Sequence, residues 1–143
     1  MLKRCFGMIY RQGKIIDNSR ARHLHLTGAQ VRYLEIIGDN PGISQDAIAK
    51  MDMIDKGAVA RAIKRLEVDQ YLIRKRNKQD YRAWCLYLTP RGEEVYNSRE
   101  KRGEDLKKKM FSGFSEEELD TLAELMDRLV HNVEGMREDE EKG

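Results

Sequence analysis

The chain has two cysteines, Cys5 and Cys85, and two prolines among 143 residues. Two thiols cannot build a disulfide framework or a cysteine-rich four-ligand zinc site, and such usage fits a reducing compartment. Scarce proline combined with 40% hydrophobic residues excludes wholesale disorder and leaves enough apolar material for a core. No apolar run approaches the roughly eighteen residues of a membrane span, and the opening Met1–Tyr10 is too broken to be the apolar stretch of a signal peptide. A soluble cytoplasmic protein with no membrane partner is the expectation. There is no Gly-rich phosphate loop, no nucleophile paired with a base, and no grouping of the three histidines with acids in a catalytic set. An enzyme is therefore not expected, nor is a cofactor. Internal repeats and Gly/Ser linkers are missing too, so 1–143 reads as one continuous domain.

Charge is abundant, at 36% of residues, but its net value is only +2. Divided along the chain, it separates. Residues 55–82 carry nine Lys/Arg against four Asp/Glu, a charge of +5, whereas 115–143 carry three against eleven, a charge of −8. Residues 1–54 and 83–114 contribute +3 and +2. The small total is a cancellation, and the basic block is the kind that meets a polyanion. The acidic tail reads more simply as a solvated helix face than as a mimic of nucleic acid.

Hydrophobic spacing predicts a mainly α-helical fold. Leu2, Phe6, Ile9 and Ile16 lie along one face of a helix over about 2–20. Thr27 with Gln30 forms a capping-box pattern ahead of a helix carrying Val31, Leu34 and Ile37. Ser44 can cap a short helix with Ile48 and Ala49, and Asp55 another in which Val59, Ile63 and Leu66 face inward. The outer face of that helix then presents Lys56, Gly57, Ala60, Arg61, Lys64 and Arg65. Tyr71–Ile73 and Trp84–Leu88 read as two strands joined by the basic loop Arg74–Arg82, a small β-hairpin. Thr89–Pro90 opens a helix predicted over about 90–112. Ser115 and Glu118 form a second capping box, after which Leu119, Leu122, Met126, Leu129, Val133 and Met136 follow at heptad steps. That seam needs a partner.

Three short helices and a basic hairpin are the ingredients of a winged helix-turn-helix, whose second helix enters a major groove while the wing reaches the adjoining minor groove. Arg61, Lys64 and Arg65 can meet phosphates or guanine edges, and Arg74, Lys75, Arg76, Lys78 and Arg82 can neutralise backbone charge.

The residue order Leu26-Thr27-x-x-Gln30-x-x-x-Leu34, Ile48-Ala49, Asp55-Lys56-x-x-Val59-x-Arg61-x-Ile63-x-Arg65-Leu66-Glu67, Asp80-x-Arg82-Ala83 and Leu86-x-Leu88-Thr89-Pro90-x-Gly92 resembles the multiple-antibiotic-resistance regulator (MarR) family. The resemblance implies a homodimeric, effector-responsive transcription regulator, a repressor on a pseudo-palindromic double-stranded DNA operator. It implies a winged lobe at 27–89 and a helical dimerisation region at 1–20 and 90–137. Phe6, Ile9, Leu119, Leu122, Met126, Leu129 and Val133 would form the dimer interface. The helix at Asp55–Glu67 corresponds to the recognition helix, and Asp80 to a residue that orients Arg82 for the minor groove.

Two departures from the family pattern stand out. Gly57, Ala58 and Ala60 replace hydroxyl residues on the recognition face, which shifts specificity toward Arg61, Lys64, alanine methyl contacts and shape readout. Gln70 replaces the usual glycine after that helix, so a residue with a Cβ must reverse the chain. Arg22, His23 and His25 are candidates for a pocket that takes a small aromatic or anionic effector. A metal on His23, His25 and His131 is the weaker reading, for want of carboxylate or thiolate company. Cys5 is read as interface packing in preference to an oxidant sensor, and Cys85, Trp84 and Tyr87 as core in preference to a stacking platform for single-stranded nucleic acid. The alternative to DNA binding is a protein-interaction module docking through the heptad helix at 115–137.

Overall fold

The computed structural model describes residues 1–143. Helix α1 spans Leu2–Ala21 and gives way to a 3-10 turn at Arg22–Leu24. Helix α2 covers Gly28–Asp39, and its first turn carries the predicted capping box: Gln30 N–H donates to Thr27 Oγ1 at 3.1 Å and Thr27 N–H to Gln30 Oε1 at 2.9 Å. Ser44 caps α3 (Gln45–Met51) through Ala47 N–H, and Asp55 caps α4 (Lys56–Val68) through Ala58 N–H. Strands β1 (Leu72–Arg76) and β2 (Trp84–Leu88) pair antiparallel, with Leu72 opposite Leu88 and Arg76 opposite Trp84. The fold is a winged helix-turn-helix: mainly α, with one small hairpin.

The core lies among α2, α3, α4, the hairpin and α5 (Pro90–Asn97). Leu34, Ile37, Ile48, Val59, Ile63, Leu66, Leu72 and Leu86 are fully buried. Val59, Ile63 and Leu66 fix the rotation of α4, because each buried side chain contributes about 1.5–3 kcal/mol. An exposed ion pair on the opposite face adds about 1 kcal/mol at most. A short extra pairing supports β2 on its other edge, where Gly42 N–H donates to the Leu86 carbonyl (2.8 Å) and Leu86 N–H to the Ile43 carbonyl (3.0 Å).

Gln70 makes the tight reversal after α4 at φ +63°. Tyr71 N–H returns to the Leu66 carbonyl and Gln70 N–H to that of Glu67, the Schellman arrangement in which glycine is usual. The reversal is locked from outside: Thr89 Oγ1 donates to the Gln70 carbonyl (2.6 Å) and Arg91 to that of Asp69 (2.9 Å). Gly92 lets α5 lie directly against the Tyr71 carbonyl, which a Cβ would strike.

The predicted helix over 90–112 is two helices, α5 and α6 (Arg99–Met110), broken at Ser98. Ser98 Oγ bonds back to the Val95 carbonyl and Arg99 to that of Tyr96, so side chains satisfy the carbonyls that a continuous helix would have used. Tyr96 also ties α5 to α2. Its ring fills the space left by Gly38, and its hydroxyl donates to Asp39 Oδ1 at 2.7 Å, which raises the phenol above its ordinary pKa.

The chain forms two compact units, 1–100 and 101–143. In the second, Phe111 and Phe114 meet edge to face beside a turn at Gly113, and α7 (Glu116–Lys142) begins at the predicted Ser115–Glu118 capping box. None of residues 101–143 is buried. Within the first unit α1 packs on α2, and α5 on α2 and β2. No helix is long and apolar enough to cross a membrane.

Candidate nucleic-acid interface

With its apolar stripe held in the core, α4 turns Lys56, Arg61, Lys64 and Arg65 outward, all exposed. Gly57, Ala58 and Ala60 are half-buried between them, leaving a low ridge that a duplex edge can approach closely. Not all the charge on this face is available. Arg65 is bound to Asp69 at 2.8 Å and Lys56 lies 3.8 Å from Asp46. Arg61 and Lys64 are in no ion pair.

The wing is a shaped loop. Asn77 Oδ1 accepts the N–H groups of Gln79 and Asp80, Asp80 Oδ1 accepts that of Arg82 (3.0 Å), and Asn77 N–H donates to the Ala83 carbonyl (3.1 Å). Asp80 thus holds the backbone of Arg82 and leaves the guanidinium exposed. Lys78 and Arg82 project without ionic partners, as does Lys75, whose ammonium lies 5.1 Å from the Tyr87 ring.

Arg74 differs. Its guanidinium binds Glu67 of α4 at 2.6 Å and is half-buried. Trp84 and Tyr87, expected in the core, stand outside it, both half-buried. Alternation places Trp84 on the face of Leu86 and Leu88 but at the loop end of β2, where β1 covers it with arginines: Arg76 at 3.9 Å and Arg74 at 5.3 Å from its ring. Cys85 is half-buried in the same strand, and Cys5 is exposed on α1.

The seam on α7 is open. Leu122, Met126, Leu129 and Val133 are 37–57% exposed, and Leu119 is half-buried. On α1, Ile9 is 65% exposed and Phe6 half-buried. Arg22, His23 and His25 are exposed between α1 and α2; His23 Nδ1 bonds to the Arg20 carbonyl at 2.7 Å, and His25 is in the left-handed region. A depression of about 500 Å³ lies elsewhere, at the C-terminal end of α4, bordered by Glu67, Gln70, Ile73 and Arg91.

A basic helix with a buried back and a charged, pre-shaped hairpin beside it matches known proteins. The MarR family model matches residues 26–84, from the approach to α2 through the wing. The HTH-type transcriptional regulator YybA of Bacillus subtilis is 36% identical over 90% of this chain and 85% of its own length. The chain belongs to the MarR family. Among solved structures, the transcriptional regulator SlyA superposes with a TM-score of 0.86 at 33% identity, over 92% of this chain and 93% of that one. A MarR-family regulator from Listeria monocytogenes, crystallised with 26-mer DNA, superposes at 0.85 with 30% identity, over 91% of this chain and 87% of that one. These relatives are transcriptional regulators, and the family's matched span contains both the outward face of α4 and the wing.

Sequence reasoning missed the roles of Trp84 and Glu67. Alternation does put Arg74, Arg76 and Trp84 on one face of the hairpin, but by itself it does not show that this end of the face lies beyond the core.

Proposed function

We propose that this protein is a DNA-binding transcription regulator of the MarR family, acting in the cytoplasm as a homodimer on a pseudo-palindromic operator and repressing by occupying a promoter. The observation that carries the reading is the coincidence of unpaired cations on two adjoining surfaces: Arg61 and Lys64 on α4, Lys78 and Arg82 on the wing. Cations without carboxylate partners release condensed counterions when they meet phosphate, whereas paired ones must first give up a partner. Two copies joined through the open seam of α7 and through α1 would present two α4 helices, which match half-sites about 34 Å apart. A small aromatic or anionic effector held near Arg22, His23 and His25 would weaken binding by changing that spacing, because both half-sites must be engaged together.

Selection of duplexes from a random pool should return an inverted repeat, and its half-site spacing tests the dimer geometry directly. In gel shifts with that duplex at moderate salt, Arg82→Ala should bind at least about tenfold more weakly, because the wing loses a cation that both enters the minor groove and neutralises phosphate charge. Arg82→Ala binding as tightly as wild type would remove the wing from the interface.

A further inference from the structure

The wing's cations divide by what they touch. Arg74 Nε and Nη2 both reach Glu67 Oε2, at 2.9 and 2.6 Å, with the two side chains 28% and 32% exposed. A phosphate seeking Arg74 would have to displace a partly desolvated carboxylate oxygen held by two charge-assisted hydrogen bonds. The same guanidinium lies 5.3 Å from the Trp84 ring centroid, and that of Arg76 lies 3.9 Å from it. Arg76 Nη1 in turn donates to the Tyr81 carbonyl at 2.6 Å, one residue before Arg82. These contacts run without a gap from the last turns of α4 to the tip of the wing.

We propose that Glu67, Arg74, Trp84 and Arg76 form a strut that fixes the wing tip against the recognition helix, with Arg74 a positioning residue and not a phosphate ligand. The inference rests on the DNA-binding function proposed above. Major- and minor-groove contacts lie at a set separation on a duplex, so a wing held at that separation engages both without ordering itself on binding. A slack wing keeps its charge but must be ordered by the DNA. Loss of the strut therefore lowers operator affinity more than affinity for random sequence, and leaves the count of phosphate contacts unchanged.

The test is fluorescence anisotropy over a series of salt concentrations, with the duplex selected by the wild-type protein and a scrambled duplex of the same length. Trp84→Leu, which removes both cation–π contacts but no charge, should weaken operator binding at least about two- to fivefold, the value of one such contact, while Trp84→Phe retains most of the affinity. Arg74→Ala should weaken it similarly at an unchanged salt slope, whereas Arg82→Ala should lower the slope by about 0.9, the loss of one phosphate contact. The chain has one tryptophan, so Trp84 emission gives a readout independent of DNA: Arg74→Ala should make it more accessible to acrylamide at an unchanged helical circular-dichroism signal. Wild-type affinity in Trp84→Leu, or a slope in Arg74→Ala reduced as in Arg82→Ala, would overturn the strut while leaving DNA binding intact. If the wild-type protein enriches no duplex, the DNA-binding reading itself fails, and the strut with it.

Discussion

Gln70 occupies a backbone conformation that its own side chain disfavours. At φ +63° its Cβ crowds the following carbonyl, a cost of about 1–2 kcal/mol that glycine avoids. The same geometry recurs at His25 and Met53, and in each case the next residue's N–H returns five residues back, Leu26 to the Ala21 carbonyl and Ile54 to that of Ala49. Gln70→Gly should accordingly stabilise the protein by about 1 kcal/mol in urea denaturation, after the entropy of the freer unfolded chain is subtracted. A neutral or destabilising result would mean that the side chain contributes something its exposed position does not reveal. The family resemblance marked the residue in the sequence, because Gln70 stands where the pattern has a glycine after this helix. The place of Trp84 was not legible there, because alternation tells which face a side chain takes but not how far the helical layer beneath it extends.

At the scale of elements, Thr89 joins two of them. Its hydroxyl accepts Gly92 N–H at the start of α5 and donates to the carbonyl of Gln70 after α4. Thr89→Ala removes both bonds and should cost about 1–2 kcal/mol by thermal or chemical unfolding; a loss of a few tenths would show that water replaces them. Caps of this kind were legible from the sequence at Thr27, Ser44, Asp55, Thr89 and Ser115, since each needs a partner only three residues away. The break at Ser98 was hidden for the opposite reason. Nothing in Asn97-Ser98-Arg99 is a strong breaker, and the interruption depends on side chains choosing carbonyls over solvent. The pairing of Gly42 and Ile43 with Leu86 was equally hidden, because it joins residues more than forty positions apart.

For the whole molecule, the contrast between the two units decides what must happen on assembly. The first has a continuous buried core, and the second, 101–143, buries none of its residues although α7 bears Leu122, Leu125, Met126, Leu129, Val130 and Val133. In the proposed homodimer, association covers an apolar stripe of that length. Leu129→Asp in the middle of the seam should shift the protein from dimer to monomer in sedimentation equilibrium, with operator binding weakened at least about tenfold as one half-site contact is lost. A dimer that persists in this variant would move the interface off α7. The open seam also makes the chain's own abundance a thermodynamic variable. The lobe's hydrophobic interior forms within one polypeptide and owes nothing to concentration, whereas in the proposed dimer α7 would gain its stability by mass action. Two melting processes follow, one fixed and one that rises with protein concentration. In a cell, a freshly made copy at low number would have a finished DNA-reading head before it had a second copy to hold that head in register.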